Sequence, residues 1–391
     1  MPPPVTVPED TPVHNWEFPV DNELVVVRPD RPGLLLLNAT ARQLWEQPDD
    51  EAAVKVFVKN YGIPEAKARR DIAKTRRDWQ RLLSVGQATP EAKQHGDLIL
   101  ANAGFRSGPV VKPVQSEVLP GASRVTLVCH LNHHPFQIQL EEGDLVEEIA
   151  PRLAALASPA SEAQPALFVL SNAKDHVNIH LNGRLIASEA NTAAARAILL
   201  QEMTRLCEPG RTIQAILHAG ACGSPAGAVV LAGATGSGKS TLCAALMAEG
   251  LTCYGDDSAC LDQGLEVAGM PFPVMLRQPS WPVLEGRLTL PAAHRRWGTE
   301  VAFLPSNLPA GTSPTAPVKA LTFVEYRPEA APTLEPLTAF EALLALQRSG
   351  FWVEHDQAVI ARFLAWIARL PRYRLTYSSV DDAIGLVKGL I

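Results

Sequence analysis

The residues best able to do chemistry in this chain of 391 residues are a lysine and the run that leads to it, Gly233-Ala234-Thr235-Gly236-Ser237-Gly238-Lys239-Ser240-Thr241. The run satisfies GxxxxGK[ST]. It follows an apolar stretch, Ala228–Leu231, and feeds a helix-forming one, Leu242–Glu249. Three glycines let consecutive backbone N–H groups wrap an anion at a helix start, where the helix dipole also favours negative charge. Lys239 would reach the β- and γ-phosphates of a nucleotide, and the Ser240 hydroxyl would complete a Mg2+ shell. The motif predicts a nucleoside triphosphate site served by ATP and Mg2+.

Two acids follow at a useful distance. Gly250 ends the helix, and Leu251–Gly255 reads as a short strand delivering Asp256 and Asp257. Adjacent carboxylates at a strand end repel unless a cation or a proton lies between them. Beside a triphosphate the natural cation is Mg2+, so one acid would hold the metal and the other would take the proton of an attacking hydroxyl. A plain Asp-Asp turn is the alternative. Upstream, His218 closes the short apolar run Ile216-Leu217. Downstream, Pro271–Arg277 reads as a strand ending in a cation. Arg277 would stabilise charge on a transferred phosphoryl group or pair with a surface carboxylate, and Arg295 and Arg296 are similar candidates. Residues 305–318 combine proline, Gly311 and Ser/Thr in the manner of a loop able to cover a site.

The elements that must position these groups begin after a proline-rich tail, residues 1–15. Leu24–Val27 and Leu34–Leu37, joined through Pro29, Pro32 and Gly33, predict a hairpin. Asn38 or Thr40 can cap a short helix with Leu44 and Trp45, and Asp49 or Asp50 a second with Val54, Phe57 and Val58. Pro64 opens a third, with Ile72, Trp79 and Leu83 at helical spacing. A hairpin followed by three helices is winged-helix-like. The third helix carries Lys67, Arg69, Arg70, Lys74, Arg76, Arg77 and Arg81, which form a solvated face, an electropositive wall for an acidic peptide, or a DNA reader. Residues 89–122 read as a linker.

From Arg124 the pattern becomes mixed α/β. Strands fall at 125–131, 136–140, 166–170, 176–181 and 184–187, the last two around an Asn182-Gly183 turn. Helices fall at 144–156, which Pro151 would kink or divide, and at 192–206. His130, His133, His134, His176 and His180 are read as polar strand residues at a surface or subunit contact rather than metal ligands, since 176 and 180 would stand ~13 Å apart on one strand face. The six cysteines, 129, 207, 222, 243, 253 and 260, form no C-x-x-C pair and read as reduced core residues.

A hydrophobic content of 47% supports packed interiors, and a net charge of −6 gives no general pull toward nucleic acid or anionic membrane. No apolar run reaches the ~20 residues of a membrane span, and no signal segment is apparent, so a cytoplasmic protein is expected.

Histidine, glycine loop and Asp-Asp in this order, with His218 21 residues before Lys239 and Asp256 17 after it, resemble HPr kinase/phosphorylase. They resemble more closely the HPr-kinase-related enzymes of peptide biosynthetic clusters. The likeness runs from about Phe136 to the C-terminus, where Tyr373–Tyr377 and Val380–Leu390 match the family's closing strand and helix. The hairpin, the Leu37-Asn-x-Thr40 step and Leu44-Trp45 resemble the PqqD-like peptide-recognition domain. The resemblance implies an α/β fold: a P-loop-containing HPr-kinase-like catalytic domain with a mixed sheet over 123–391 (123–206 and 207–391), preceded by a small winged-helix-like, PqqD-like α+β domain over 16–88. It implies a Ser/Thr-type peptide kinase with Asp256 as general base tuned by His218, and with Asp257 and Ser240 toward Mg2+. A leader segment of a precursor peptide would add as a strand along the hairpin edge, and a homo-oligomer is allowed. Thr241 replaces the acid usual in the HPr enzyme, and neither its later magnesium-binding glutamate nor its phosphorolysis loop is found, so the reverse reaction is not implied. A small-molecule kinase and a nucleotide-sensing DNA-binding regulator are the alternatives.

Overall fold

The structure is a computed structural model. It describes residues 14–30, 33–84, 98–100, 123–131, 134–154, 156, 164–174, 176–189, 191–207, 211–296, 299–308 and 313–391. The proline-rich tail (but for His14 and Asn15), His133, and most of the 89–122 segment lie outside the described residues, as does the centre of the 305–318 loop. The chain divides into two compact units. One comprises residues 1–103 with 338–347 and 355–368; the other comprises 104–337 with 348–354 and 369–391. Two helical segments expected within 123–391 thus group with the N-terminal residues.

The first unit is built on an antiparallel sheet in the order Trp16–Val20, Glu23–Val27, Leu34–Leu37, Leu98–Leu100. Glu23–Val27 and Leu34–Leu37 pair in the register Leu24↔Leu37. An uninterrupted apolar run is what a strand shows when both its faces are covered. Leu24, Val26, Leu35 and Leu37 pack on Leu44, Val54, Phe57, Ile72 and Trp79 of the three helices Ala39–Trp45, Asp50–Tyr61 and Glu65–Ser84. Val25, Val27, Leu34 and Leu36, on the other face, are equally buried. The later segment of this unit meets the sheet ends, where the Ala339 N–H donates to Asp21 and the His355 ring stacks near Trp16. Of the alternative caps, Asn38 and Asp49 serve, accepting the N–H groups of Ala41 and Ala52, each at 2.8 Å.

Three expectations are corrected. Leu98–Leu100 is a strand rather than part of a structureless linker, and it pairs along Leu34–Leu37. Both hairpin edges are therefore occupied, the other by Trp16–Val20. Helix Asp144–Ala154 passes through Pro151 unbroken; one carbonyl loses its donor, but Leu145, Ile149 and Leu153 anchor both sides in one core. His180 is buried rather than at a surface, whereas His176 is exposed.

The second unit has several sheets. A mixed six-stranded sheet runs Thr252–Gly255, Ala219–Ser224, Gly227–Ala232, Val318–Tyr326, Arg372–Tyr377, Thr333–Pro336. Its strands at 227–232, 318–326 and 372–377 are parallel; Ala219–Ser224 is antiparallel to both its neighbours, so Thr252–Gly255 runs in the direction of those three, and Thr333–Pro336 runs against them. Helix Lys239–Ala248 is apolar nearly all round and is correspondingly buried, with Leu242, Cys243 and Leu246 in the core of this sheet. One five-stranded sheet runs Thr315–Ala316, Val267–Ala268, Ala259–Leu261, Ala215–Leu217, Phe351–Val353. A second five-stranded sheet, from Arg124–Leu131 to Arg184–Glu189, packs against helices Asp144–Ala154 and Thr192–Cys207. A three-stranded sheet carries Val274–Arg277. Among the described residues no helix is long and apolar enough to cross a membrane.

Candidate functional site

The parallel strand Gly227–Ala232 ends at the glycine loop, and the loop ends at helix Lys239–Ala248. Gly233, Gly236 and Gly238 all have positive φ, at 148°, 84° and 96°. Gly238 has a second reason to lack a side chain, since a Cβ there would lie 2.3 Å from the Tyr377 hydroxyl. Ala234, Thr235 and Gly236 face solvent at the loop crest. Lys239 is buried at 5% exposure, and its ammonium donates to the Gly233 and Ala234 carbonyls at 2.6 and 3.0 Å. Burial lowers its pKa, opposed by Asp257 and Asp256. The Ser237 hydroxyl is buried without a hydrogen-bond partner. A cradle of exposed backbone, a desolvated ammonium and an orphan hydroxyl at a helix start fit the phosphates of a nucleotide.

Asp256 and Asp257 follow the strand Thr252–Gly255, which runs in the same direction as Gly227–Ala232, and their carboxylates take different partners. Ser240 Oγ donates to Asp256 Oδ1 at 3.0 Å, and the Met275 N–H donates to Oδ2 at 3.3 Å. Asp256 is 2% exposed. Asp257 adopts the left-handed region, with φ 67°, a conformation that costs a non-glycine residue and is common at functional sites. Its carboxylate, 22% exposed, accepts from Arg152 Nη2 at 3.0 Å. The His218 ring nitrogen Nδ1 lies 3.2 Å from the Asp257 carbonyl, and its backbone N–H donates to Gly350. Burial lowers the His218 pKa, partly offset by Asp257. The structure thus brings Lys239, Ser240, Asp256, Asp257 and His218 together. Thr241 turns away, its hydroxyl 2.7 Å from that of Ser280. Arg277 is exposed at the end of its strand. The acid beside Ser240 is Asp256, not Asp257 as the resemblance implied.

The two acids are held in opposite protonation states. Burial, then Asp257 and Cys253, push Asp256 up to about 8. Burial acts on Asp257 in the same direction, but Arg152, His218 and Arg196 outweigh it and hold that carboxyl down. A protonated acid beside the Ser240 hydroxyl is one that a divalent cation would ionise, so Ser240 and Asp256 fit Mg2+.

Arg152 is the functional residue that sequence reasoning missed. It is 1% exposed, its Nε has no hydrogen-bond partner, and its guanidinium lies 6.0 Å from the centre of the Phe303 ring. One signal was available: Arg152 stands three residues after Ile149 and seven after Leu145, on the apolar stripe of its helix. The buried Glu148, on the same helix, pairs with Arg196 at 2.6 Å. A cleft of about 380 Å3 lined by Gln278, Trp281, Pro282, Glu285 and Leu288 includes neither the glycine loop nor the acids.

The raised Asp256 has a measurable consequence. Between its ordinary value of 3.8 and about 8, the folded chain holds a proton that the unfolded chain has released. Stability contributed by this group therefore falls as pH rises through that window. Asp256→Asn is expected to flatten the decline in urea-unfolding free energy between pH 5 and pH 8. An undiminished slope would assign the decline to other groups. No family model and no curated protein matches this sequence.

Proposed function

We propose that the chain is an ATP-dependent kinase that transfers the γ-phosphoryl group to a Ser or Thr hydroxyl of a peptide or protein, through the P-loop fold and HPr-kinase likeness that its motifs imply. The observation that carries this reading is the pairing of Ser240 with Asp256 at 3.0 Å while the adjoining Asp257, paired with Arg152, stays ionised and partly exposed. Ser240 and Asp256 would hold Mg2+, which would supply positive charge to offset that of the phosphates. Lys239 binds those oxygens once its ammonium leaves the loop carbonyls. Asp257 orients the acceptor hydroxyl and takes its proton, exchanging roles with Asp256 relative to the sequence expectation. Arg152 and His218 hold Asp257 in place. Little covalent chemistry is asked of the protein, and positioning with charge stabilisation supplies most of the rate.

Incubating the full chain with γ-labelled ATP, Mg2+ and a Ser/Thr peptide library tests the reading. Labelled phosphopeptide is expected. Absence of transfer to any hydroxyl, together with absence of nucleotide binding, would overturn it. Transfer only to free small alcohols would replace the acceptor class. DNA reading is disfavoured by local neutralisation of the basic helix: Arg69 pairs with Glu51 and Glu65, Arg76 with Asp50, and Lys67 with Asp71.

The N-terminal unit would hold the precursor peptide. Strand addition along Leu34–Leu37 requires that Leu98–Leu100 yield its place. Ile99, opposite Leu36, is the position to change, because proline there removes an N–H from the segment. Ile99→Pro is expected to raise precursor affinity several-fold by fluorescence anisotropy. Unchanged affinity would exclude that edge as the docking strand.

A further inference from the structure

All six cysteines are buried and none is in a disulfide, but they are not distributed alike. Cys129, Cys207 and Cys260 lie in the core that joins the second five-stranded sheet to its helices. Cys222, Cys243 and Cys253 lie in the core around the glycine-loop helix, and there they converge. Their Sγ atoms are all within 4.8 Å of one another. Cys222 and Cys253 are directly opposite on adjacent antiparallel strands, and Cys243 comes down from the helix one turn after Lys239. The space for it is specific, since a Cβ on Gly220 would lie 2.3 Å from Cys243 Sγ.

We propose that Cys222, Cys243 and Cys253 form a binding site for one thiophilic d10 cation of the monovalent copper class. A planar three-sulfur shell with bonds of about 2.3 Å sets its sulfurs about 4.0 Å apart, so the triangle closes on an ion by less than about 1 Å per edge. The donor set is sulfur alone, the choice of soft ions. Structural zinc takes four protein ligands and catalytic zinc keeps an open position. This group has three ligands, exposed by 2% at most, which suits an ion content with two or three sulfurs. The Cys253 thiol donates to the Gly255 carbonyl at 3.4 Å and the Cys222 thiol to that of Cys243 at 4.0 Å, weak sulfur contacts that an ion would replace. Each cysteine that binds as thiolate releases its proton to solvent. With two thiolates and one retained thiol, the charge left in the core is a single negative one.

The bound ion would join the helix carrying Lys239 and Ser240 to the strand that delivers Asp256. The site is independent of the kinase reading, and its test does not measure phosphoryl transfer. The full chain is equilibrated anaerobically, in a thiol-free reductant, with Cu(I) buffered by a chromophoric chelator. Uptake of one Cu(I) per chain is expected, with an all-sulfur shell by X-ray absorption and a raised melting temperature. Cys222→Ala and Cys253→Ala should each weaken retention at least a hundredfold against the chelator, while Cys129→Ala and Cys260→Ala keep it within about threefold. No uptake by the wild-type chain, or nitrogen or oxygen in the shell, would overturn the assignment. Those two readings need no variant, so the proposal stays testable if an alanine variant fails to fold.

Discussion

Lys239→Met is expected to reduce phosphoryl transfer about a thousandfold or more without lowering stability. The ammonium is buried and satisfied by two loop carbonyls, at 2.6 and 3.0 Å, and these are weaker partners than the water it gave up. Burial accordingly lowers its pKa. Removing such a charge relieves a desolvation cost, while the methionine keeps most of the apolar stem. On the proposed kinase reading, losing a positive group that would face developing phosphoryl charge costs about 4 kcal/mol of transition-state stabilisation, which is the thousandfold. Turnover and urea unfolding should therefore move independently. If both fell together, Lys239 would be a structural residue and the phosphate cradle would lose its main support.

Arg152→Met is expected to lower turnover at least a hundredfold, and to do so with a different signature. Its partner, Asp257, would lose the cation that contributes most to keeping it ionised. Burial would then raise the Asp257 pKa, moving the acidic limb of the pH–rate profile to higher pH. Breaking a buried pair from one side costs about 3–5 kcal/mol; the partial exposure of Asp257 places the expected loss at the lower end. Asp257→Asn in the same chain should recover much of that stability but none of the activity, because the unpaired charge is gone while the proposed proton acceptor is gone too. Additive stability losses in the two single variants and the double would show that the residues act separately. Arg152 acts through Asp257, so the acidic limb is the reading that a purely structural arginine would leave in place.

Much of the scaffold was legible. The apolar runs Leu24–Val27 and Leu34–Leu37 marked the hairpin, and Asn38 or Thr40 and Asp49 or Asp50 bracketed two helix starts; the structure covers the strands on both faces and chooses Asn38 and Asp49 as the caps. The helix over 144–154 was also legible, and of the two effects expected of Pro151, a kink or a division, the division is overridden by the anchoring of Leu145, Ile149 and Leu153. The segment around Leu98–Leu100 misled, since a three-residue strand is too short to announce itself and exists through its pairing with Leu34–Leu37.

Sequence alone determined the glycine loop, its flanking strand and helix, and the acidic pair, because each depends on backbone conformations set within a few residues. Tertiary structure alone decided which acid meets Ser240 and which meets Arg152, a partner 105 residues away in the chain. It also decided that three of six cysteines share one place. Such meetings follow from how sheets and helices pack, and from which charges share a buried volume, and no local spacing encodes either.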